Sequence, residues 1–79
     1  MDKQLLQEGM LHIKLWQYSK SSCFGVKLIE LIAKADTDNR QKLSMGFPQY
    51  VQAYKIWFTK EYDGHIFKND KELFEYFNV

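Results

Sequence analysis

The chain has a single cysteine, Cys23, among its 79 residues, so it can form no intrachain disulfide. A lone cysteine is typical of proteins in a reducing compartment. No run of apolar residues approaches the roughly 20 needed to cross a bilayer. The segment Met1–Met10 also lacks the basic and then continuously apolar pattern of a signal peptide. We therefore predict a cytoplasmic protein without a membrane-spanning segment.

An excess of charge of either sign is also missing. Eleven basic and ten acidic residues are interspersed and leave a formal net charge of +1. Dedicated nucleic-acid-binding or membrane-surface proteins usually carry a basic excess, so neither class is favoured. Proline occurs once and glycine four times, with no repeat and no linker-like stretch. The chain is therefore predicted to be one domain, residues 1–79.

Aromatic residues, in contrast, are abundant and make up 16% of the chain. A domain of this size buries only about 60% of the surface of its unfolded chain, so bulky apolar side chains matter for its stability. Most of the aromatic residues lie between Phe47 and Val79. The second half of the chain is therefore predicted to supply most of the core.

The first helix is predicted from Asp2 to Tyr18, with Asp2 as its N-cap and apolar residues at three- and four-residue steps. An alternative stays open at this point. Leu11, Ile13 and Leu15 alternate with polar residues, and such alternation is typical of a half-buried strand.

A second helix is predicted from an N-cap at Ser21 or Ser22, since a serine hydroxyl can accept hydrogen bonds from the first unpaired amides. It ends near Ala35. Its predicted buried stripe, widened by Ile29 and Ile32, consists of Phe24, Leu28, Leu31 and Ala35. Glu30 and Lys34 have the four-residue spacing that favours an ion pair on the opposite, solvated face.

A short third helix is predicted to begin near Asp36 and to end at Gly46, with Gly46 in the left-handed conformation that often terminates helices. Leu43 is its expected inward residue. Pro48 suits the first turn of a fourth helix, which is predicted to continue to about Tyr62. Its expected buried stripe is Val51, Tyr54, Phe58 and Tyr62, flanked by Tyr50 and Trp57.

The last part of the chain is predicted to contain a turn at Asp63–Gly64, a short extended piece near His65 and a final helix. Asn69 can cap that helix with Glu72 as its partner, and Leu73, Phe74 and Phe77 are expected to dock it. The predicted fold is therefore all-α, with four or five short helices around an aromatic-rich core.

No motif indicates a catalytic, metal or cofactor site. The segment Asp36–Arg40 is similar to the start of a calcium loop, but Arg40, Gln41 and Phe47 occupy positions where such a loop needs an oxygen ligand, a glycine and a glutamate. Cys23 has no further cysteine or histidine at zinc-ligand spacing, and the glycines form no phosphate-binding loop. The protein is therefore predicted to be neither an enzyme nor a cofactor-binding protein.

The fourth helix suggests a binding surface for a protein partner. Ile56 lies roughly opposite the Val51, Tyr54 and Phe58 stripe, so one core cannot easily bury both sides of the helix. A helix that is apolar on two sides is either central or covered by a partner. The predicted partner-binding residues are Ile56, Ala53, Gln49 and Lys60. This predicts a protein-interaction module that binds another protein or a second copy of itself.

A small helical nucleic-acid-binding protein is the alternative interpretation. The first half of the chain has a mild basic bias, and two helices joined by a short turn could place several of these residues on one face. The predicted contact residues are Lys20, Lys27, Lys34, Arg40 and Lys42. The small net charge is the argument against this interpretation, since binding requires clustered phosphate contacts.

The run Lys34–Trp57, K-A-D-T-D-N-R-Q-K-L-S-M-G-F-P-Q-Y-V-Q-A-Y-K-I-W, resembles a run in short uncharacterised bacterial proteins. Some of these look like products of phages or mobile elements. The resemblance covers under a third of the chain and rests mainly on A-D-x-x-N-R-x-K-L and G-F-P-x-x-V-x-A-Y-x-x-W. It implies no activity and no functional residues. A phage or mobile-element origin implies a protein that binds a larger host or phage protein.

Overall fold

The computed structural model describes all 79 residues and contains five helices and one small hairpin. The elements in chain order are α1 (Lys3–Tyr18), α2 (Phe24–Lys34), α3 (Thr37–Gly46), α4 (Pro48–Thr59), β1 (Glu61–Tyr62), β2 (His65–Ile66) and α5 (Asp70–Tyr76). The predicted all-α fold class is confirmed.

Helix α1 forms where it was predicted, and the strand alternative is excluded. The Asp2 carboxylate accepts a hydrogen bond from the Gln4 amide at 3.0 Å and caps the helix. Ile13 is fully buried, whereas Leu11 is exposed, so the two do not share a face as they would in a strand. The buried residues of α1 are Leu6, Gly9, Met10 and Ile13, and they pack chiefly against α4.

Helix α2 begins later than predicted, and its buried face is rotated. Its N-cap is Cys23, which makes no side-chain capping bond, so the predicted caps at Ser21 and Ser22 are wrong. The buried residues are Gly25, Val26, Leu28, Ile29 and Ile32. Phe24 and Leu31, both predicted to be buried, are 71% and 53% exposed. The apolar residues of α2 cover a broad arc of the helix. One side of this arc packs in the core, and the other side is exposed at the surface.

Helix α3 has its predicted start but a different end. The Asp36 carboxylate accepts a hydrogen bond from the Asn39 amide at 2.8 Å. Gly46 is the last helical residue and does not adopt a positive φ, so its predicted left-handed conformation is wrong. The helix instead ends because Phe47, the residue before Pro48, leaves the helical conformation with φ −134° and ψ 58°.

Helix α4 starts at Pro48 as predicted and stops at Thr59, before the predicted end at Tyr62. Lys60 terminates it in a left-handed conformation, with φ 58°. The chain then forms an antiparallel hairpin in which Glu61 pairs with Ile66 and Tyr62 with His65. Pairing in this hairpin removes Tyr62 from the helix.

The central position of α4 corrects the predicted orientation of its faces. Its buried residues, Tyr50, Val51, Ala53, Tyr54 and Ile56, cover more than half of its circumference, because α1, α2 and α3 all pack against it. Ile56 is only 2% exposed, so its predicted exposure is wrong. Phe58, predicted to be in the core, is 71% exposed.

Helix α5 closes the core from the C-terminal side. The Asn69 side chain accepts a hydrogen bond from the Glu72 amide at 2.9 Å, which confirms the predicted N-cap. Leu73, Phe74 and Phe77 are buried as predicted. Rings of Tyr62, Tyr76 and Phe77 contact one another here, with centroid separations between 5.1 and 6.1 Å.

Candidate functional site

An open groove between the end of α2 and α3 is the largest concave surface of the domain. Only Ala35 and Asp36 connect the two helices, so α3 begins close to the last turn of α2. The groove encloses about 540 Å³ and is lined by Leu31, Lys34, Ala35, Asp36, Asn39, Lys42 and Leu43. These seven residues define the α2–α3 groove.

The floor of the α2–α3 groove is apolar and partly open to solvent. Leu31 contributes a side chain that is more than half exposed. Leu43 is half-buried and packs from the opposite helix against the edge of the core. Ala35, where the two helices meet, is too small to fill the space between them. The groove therefore presents apolar surface that the core of the domain does not use.

The rim of the α2–α3 groove is positively charged. Lys34 and Lys42 both line it, and neither forms a salt bridge, because the one salt bridge in the structure joins Lys60 to Asp70. The predicted ion pair between Glu30 and Lys34 is therefore not formed. Two ammonium groups without carboxylate partners thus stand beside exposed leucine.

Arg40 is engaged in holding the connection between α2 and α3. Its Nε donates to the Ile32 carbonyl at 3.2 Å, and its Nη2 donates to the Ala35 carbonyl at 3.0 Å. Its guanidinium also lies over the Tyr54 ring, 5.2 Å from the centroid. A cation suits these carbonyls, which carry the negative end of the α2 dipole. Arg40 therefore stabilises the fold that creates the groove.

The residues predicted to contact nucleic acid do not form one face around Arg40. Lys34 and Lys42 come together at the α2–α3 groove, while Lys20 and Lys27 are exposed outside it. The side chain of Arg40 is directed at backbone carbonyls. The nucleic-acid interpretation stays a prediction. Of the five residues predicted to contact nucleic acid, Lys34 and Lys42 line the same groove.

The predicted partner-binding residues of α4 do not form a surface. Ile56 and Ala53 are buried. Ala53 packs closely against Gly9 of α1. Gln49 is half-buried. Lys60 pairs with Asp70, with 2.9 Å between Nζ and Oδ1. The amphipathic pattern of α4 reflects its central position in the fold, so this set of residues is corrected.

A polar cluster at Asp70 fastens α5 to the rest of the domain. The Tyr18 hydroxyl donates to one Asp70 oxygen and the Lys60 ammonium to the other. Burial opposes the charge of Asp70, but these hydrogen bonds outweigh it and lower the pKa of the carboxyl. The buried indole N–H of Trp57, which makes no hydrogen bond, also favours the charge. The hydrogen bond between the Tyr18 hydroxyl and Asp70 raises the pKa of Tyr18.

The lowered pKa of Asp70 predicts an acid-dependent contribution to stability. The charged carboxylate stabilises the fold at pH values above the unfolded-state pKa, and this contribution is lost as the pH falls through the lower folded-state pKa. We expect Asp70→Asn to destabilise by about 1–2 kcal/mol at pH 6, as loss of charge-assisted hydrogen bonds does. Urea unfolding at pH 6, 4 and 2 should show the difference from wild type shrinking below pH 4.

Asp63→Asn is the matched control for this experiment, because Asp63 is exposed in the hairpin turn and asparagine tolerates its positive φ of 50°. Its stability should follow that of wild type at every pH. A pH-independent difference between Asp70→Asn and wild type would contradict the role given to the Asp70 charge.

A second polar cluster lies between α1 and α4. The Tyr50 hydroxyl donates to a Glu8 carboxylate oxygen at 2.9 Å, and His12 Nδ1 donates to the Glu8 carbonyl at 2.8 Å. Burial, with the Glu8 hydrogen bond, raises the pKa of Tyr50 to about 12. Gly25 allows the His12 ring to lie close, since a Cβ at this position would clash with the ring. This cluster joins α1, α2 and α4.

The thiol of Cys23 is exposed at the start of α2. The Ser21 side chain and the amides of Val26 and Gly25 lower its pKa. No three His, Cys, Asp or Glu side chains come together in an arrangement that could hold a metal ion.

Comparison with known proteins identifies no relative of this chain. No protein-family model, no curated protein and no solved structure matches the chain. None of the five helices combines the length and the apolar character that crossing a membrane requires.

Lys34 and Lys42 were predicted to be contact residues, but sequence reasoning missed Leu31 as a residue of the α2–α3 groove for a definite reason. Leu31 was assigned to the core because it continues the spacing of Phe24 and Leu28. The available signal was the width of the apolar arc of α2, in which Leu28, Ile29, Leu31 and Ile32 span about 160°. A helix that touches the core along one side must leave part of so broad an arc exposed.

Proposed function

We propose that this protein is a non-catalytic protein-interaction module and that the α2–α3 groove is its binding surface. The observation that carries this proposal is the combination of exposed leucine with two unpaired lysines in one concave surface. Concave sites that are apolar with a few polar groups are typical of binding sites.

The exposed leucine in the α2–α3 groove differs from the other exposed apolar residues. Met45 and Ile66 are exposed on separate elements and line no groove, and isolated exposed apolar residues are normal on protein surfaces. Leu31 instead faces Leu43 across a groove. The fold does not need the exposed part of Leu31 for its core, which is complete without it. A partner that covers this surface would gain hydrophobic stabilisation.

The resemblance of Lys34–Trp57 to bacterial proteins of phage or mobile-element type is consistent with this proposal. That run contains most of the residues that line the α2–α3 groove, from Lys34 to Leu43. A small protein of this origin would act by binding a larger host or phage protein.

The proposal is tested by affinity capture from native lysate with mass spectrometry, using wild type and Leu31→Asp. We expect wild type to enrich a specific protein and Leu31→Asp to lose at least about 90% of it, because an aspartate in an apolar interface loses its hydration. Leu31 is already more than half exposed, so the variant should fold and melt within a few degrees of wild type.

Ile66→Asp is the matched control, since Ile66 is 73% exposed on the hairpin, away from the α2–α3 groove. This variant should retain the captured protein. Equal capture by wild type and Leu31→Asp, or no enriched protein with wild type, would overturn the proposal.

A further inference from the structure

The charge and shape of the α2–α3 groove restrict the chemistry of the partner. We propose that the groove binds an amphipathic helix of another protein, with leucine-like side chains on one face and glutamate or aspartate beside them. This inference rests on the proposed function and names the partner that the same surface would accept.

The acidic character of the partner follows from the rim of the groove. Lys34 and Lys42 have no carboxylate within salt-bridge distance. Nine of the ten lysines form no salt bridge, but these two share one groove, whose lining contains two lysines and a single acidic residue. Asp36 is the acidic residue of the groove, but its carboxylate caps α3, where the helix dipole offsets its charge. The remaining positive charge attracts acidic side chains.

The helical character of the partner follows from the shape of the groove. Its walls are the last turn of α2 and one face of α3, where Asn39, Lys42 and Leu43 lie three and four residues apart. The side-chain ridges of a third helix can pack into such a groove, with apolar anchors repeating every three or four residues. A peptide that binds by adding a strand would need a free sheet edge, and the hairpin strands have only two residues each.

A second copy of the chain fits the groove less well. In a twofold-symmetric dimer the same patch meets itself, so Lys34 and Lys42 would face the same lysines without an added counter-charge. Nucleic acid also fits less well, because Leu31 and the half-buried Leu43 give the groove apolar surface. Its lining has only two basic side chains, whereas nucleic-acid binding requires clustered phosphate contacts.

The inference is tested with two synthetic helix-forming peptides and the full 79-residue chain. Both carry leucines at three- and four-residue spacing; one has glutamates beside them, and the other has lysines at the same positions. Fluorescence anisotropy should show the glutamate peptide binding about tenfold more tightly than the lysine peptide. This preference should weaken as salt is raised.

Three variants make the experiment specific to the α2–α3 groove. The double variant Lys34→Glu/Lys42→Glu should reverse the preference and bind the lysine peptide more tightly. Leu31→Asp should bind neither peptide, whereas Lys71→Glu, an exposed lysine on α5, should behave as wild type. All of these positions are exposed, and melting curves confirm that each variant is folded.

Several outcomes would overturn the inference. These are equal affinity for the two peptides, a preference unaffected by the lysine variants, tighter binding to a DNA or RNA oligonucleotide, and a dimer in sedimentation that Leu31→Asp dissociates. Binding of neither peptide, together with lysate capture that still depends on Leu31, would overturn the acidic-helix partner and leave the proposed function standing. Capture that does not depend on Leu31 overturns the proposed function.

Discussion

Gly9→Ala is expected to lower the free energy of unfolding by about 1–3 kcal/mol, as overpacking of a close contact does. A Cβ at Gly9 would lie 2.6 Å from the Gln49 carbonyl oxygen and 2.8 Å from the Ala53 Cβ. The nearest atom belongs to the backbone of α4, so α1 and α4 would have to move apart. For a domain of this size, each 1 kcal/mol should lower the melting temperature by roughly 4–8 °C.

Gly46→Ala is the matched control, since it makes the same change in another helix. No heavy atom lies within 4 Å of a Cβ at Gly46, and its φ is not positive. Alanine is preferred over glycine in helices by up to about 1 kcal/mol, so this variant should be slightly more stable than wild type. The close approach of α1 and α4 would be contradicted if both variants shifted the urea midpoint in the same direction.

Ile56→Ala is expected to cost about 2–5 kcal/mol of stability, the range for large-to-small changes in a core. Ile56 is almost fully buried on α4, the helix against which α1, α2 and α3 pack. Removing its outer carbons would leave a cavity that these helices cannot all close. Urea or thermal unfolding of the purified variant measures the effect.

Phe58→Ala provides the comparison on the same helix, two residues away. Phe58 is largely exposed and contacts the Tyr54 ring at 6.1 Å between centroids. Its replacement should change stability by no more than about 0.5 kcal/mol, as surface substitutions usually do. A larger loss for Phe58→Ala than for Ile56→Ala would mean that α4 is rotated relative to the described packing.

The electrostatic contacts of the domain divide into two groups with different roles. Asp70 and Lys60 form the salt bridge that connects α5 to the end of α4, and Arg40 holds the end of α2 through two carbonyls. The side chains of Lys34 and Lys42 form no salt bridge and no hydrogen bond within the domain. Charges that the fold does not use, beside apolar surface that the core does not use, are the basis of the proposed binding site.

The starts of four of the five helices were determined by the sequence alone. Asp2, Asp36 and Asn69 cap the helices for which they were predicted, and Pro48 begins α4. Each of these signals acts over two or three residues, because a cap is a bond between one side chain and a nearby amide. Such contacts form in the same way wherever the helix is later packed, so local sequence is sufficient to predict them.

Only the tertiary structure decided which side of each helix is buried. In α2 and α4 the apolar residues cover more than one face, and periodicity alone could not distinguish Ile56 from Phe58 or Ile32 from Leu31. That choice depends on contacts between helices distant in sequence. The end of α4 at Lys60 was decided in the same way, by the hairpin that follows it. The α2–α3 groove also arises from packing, because it lies between two helices and no single segment encodes it.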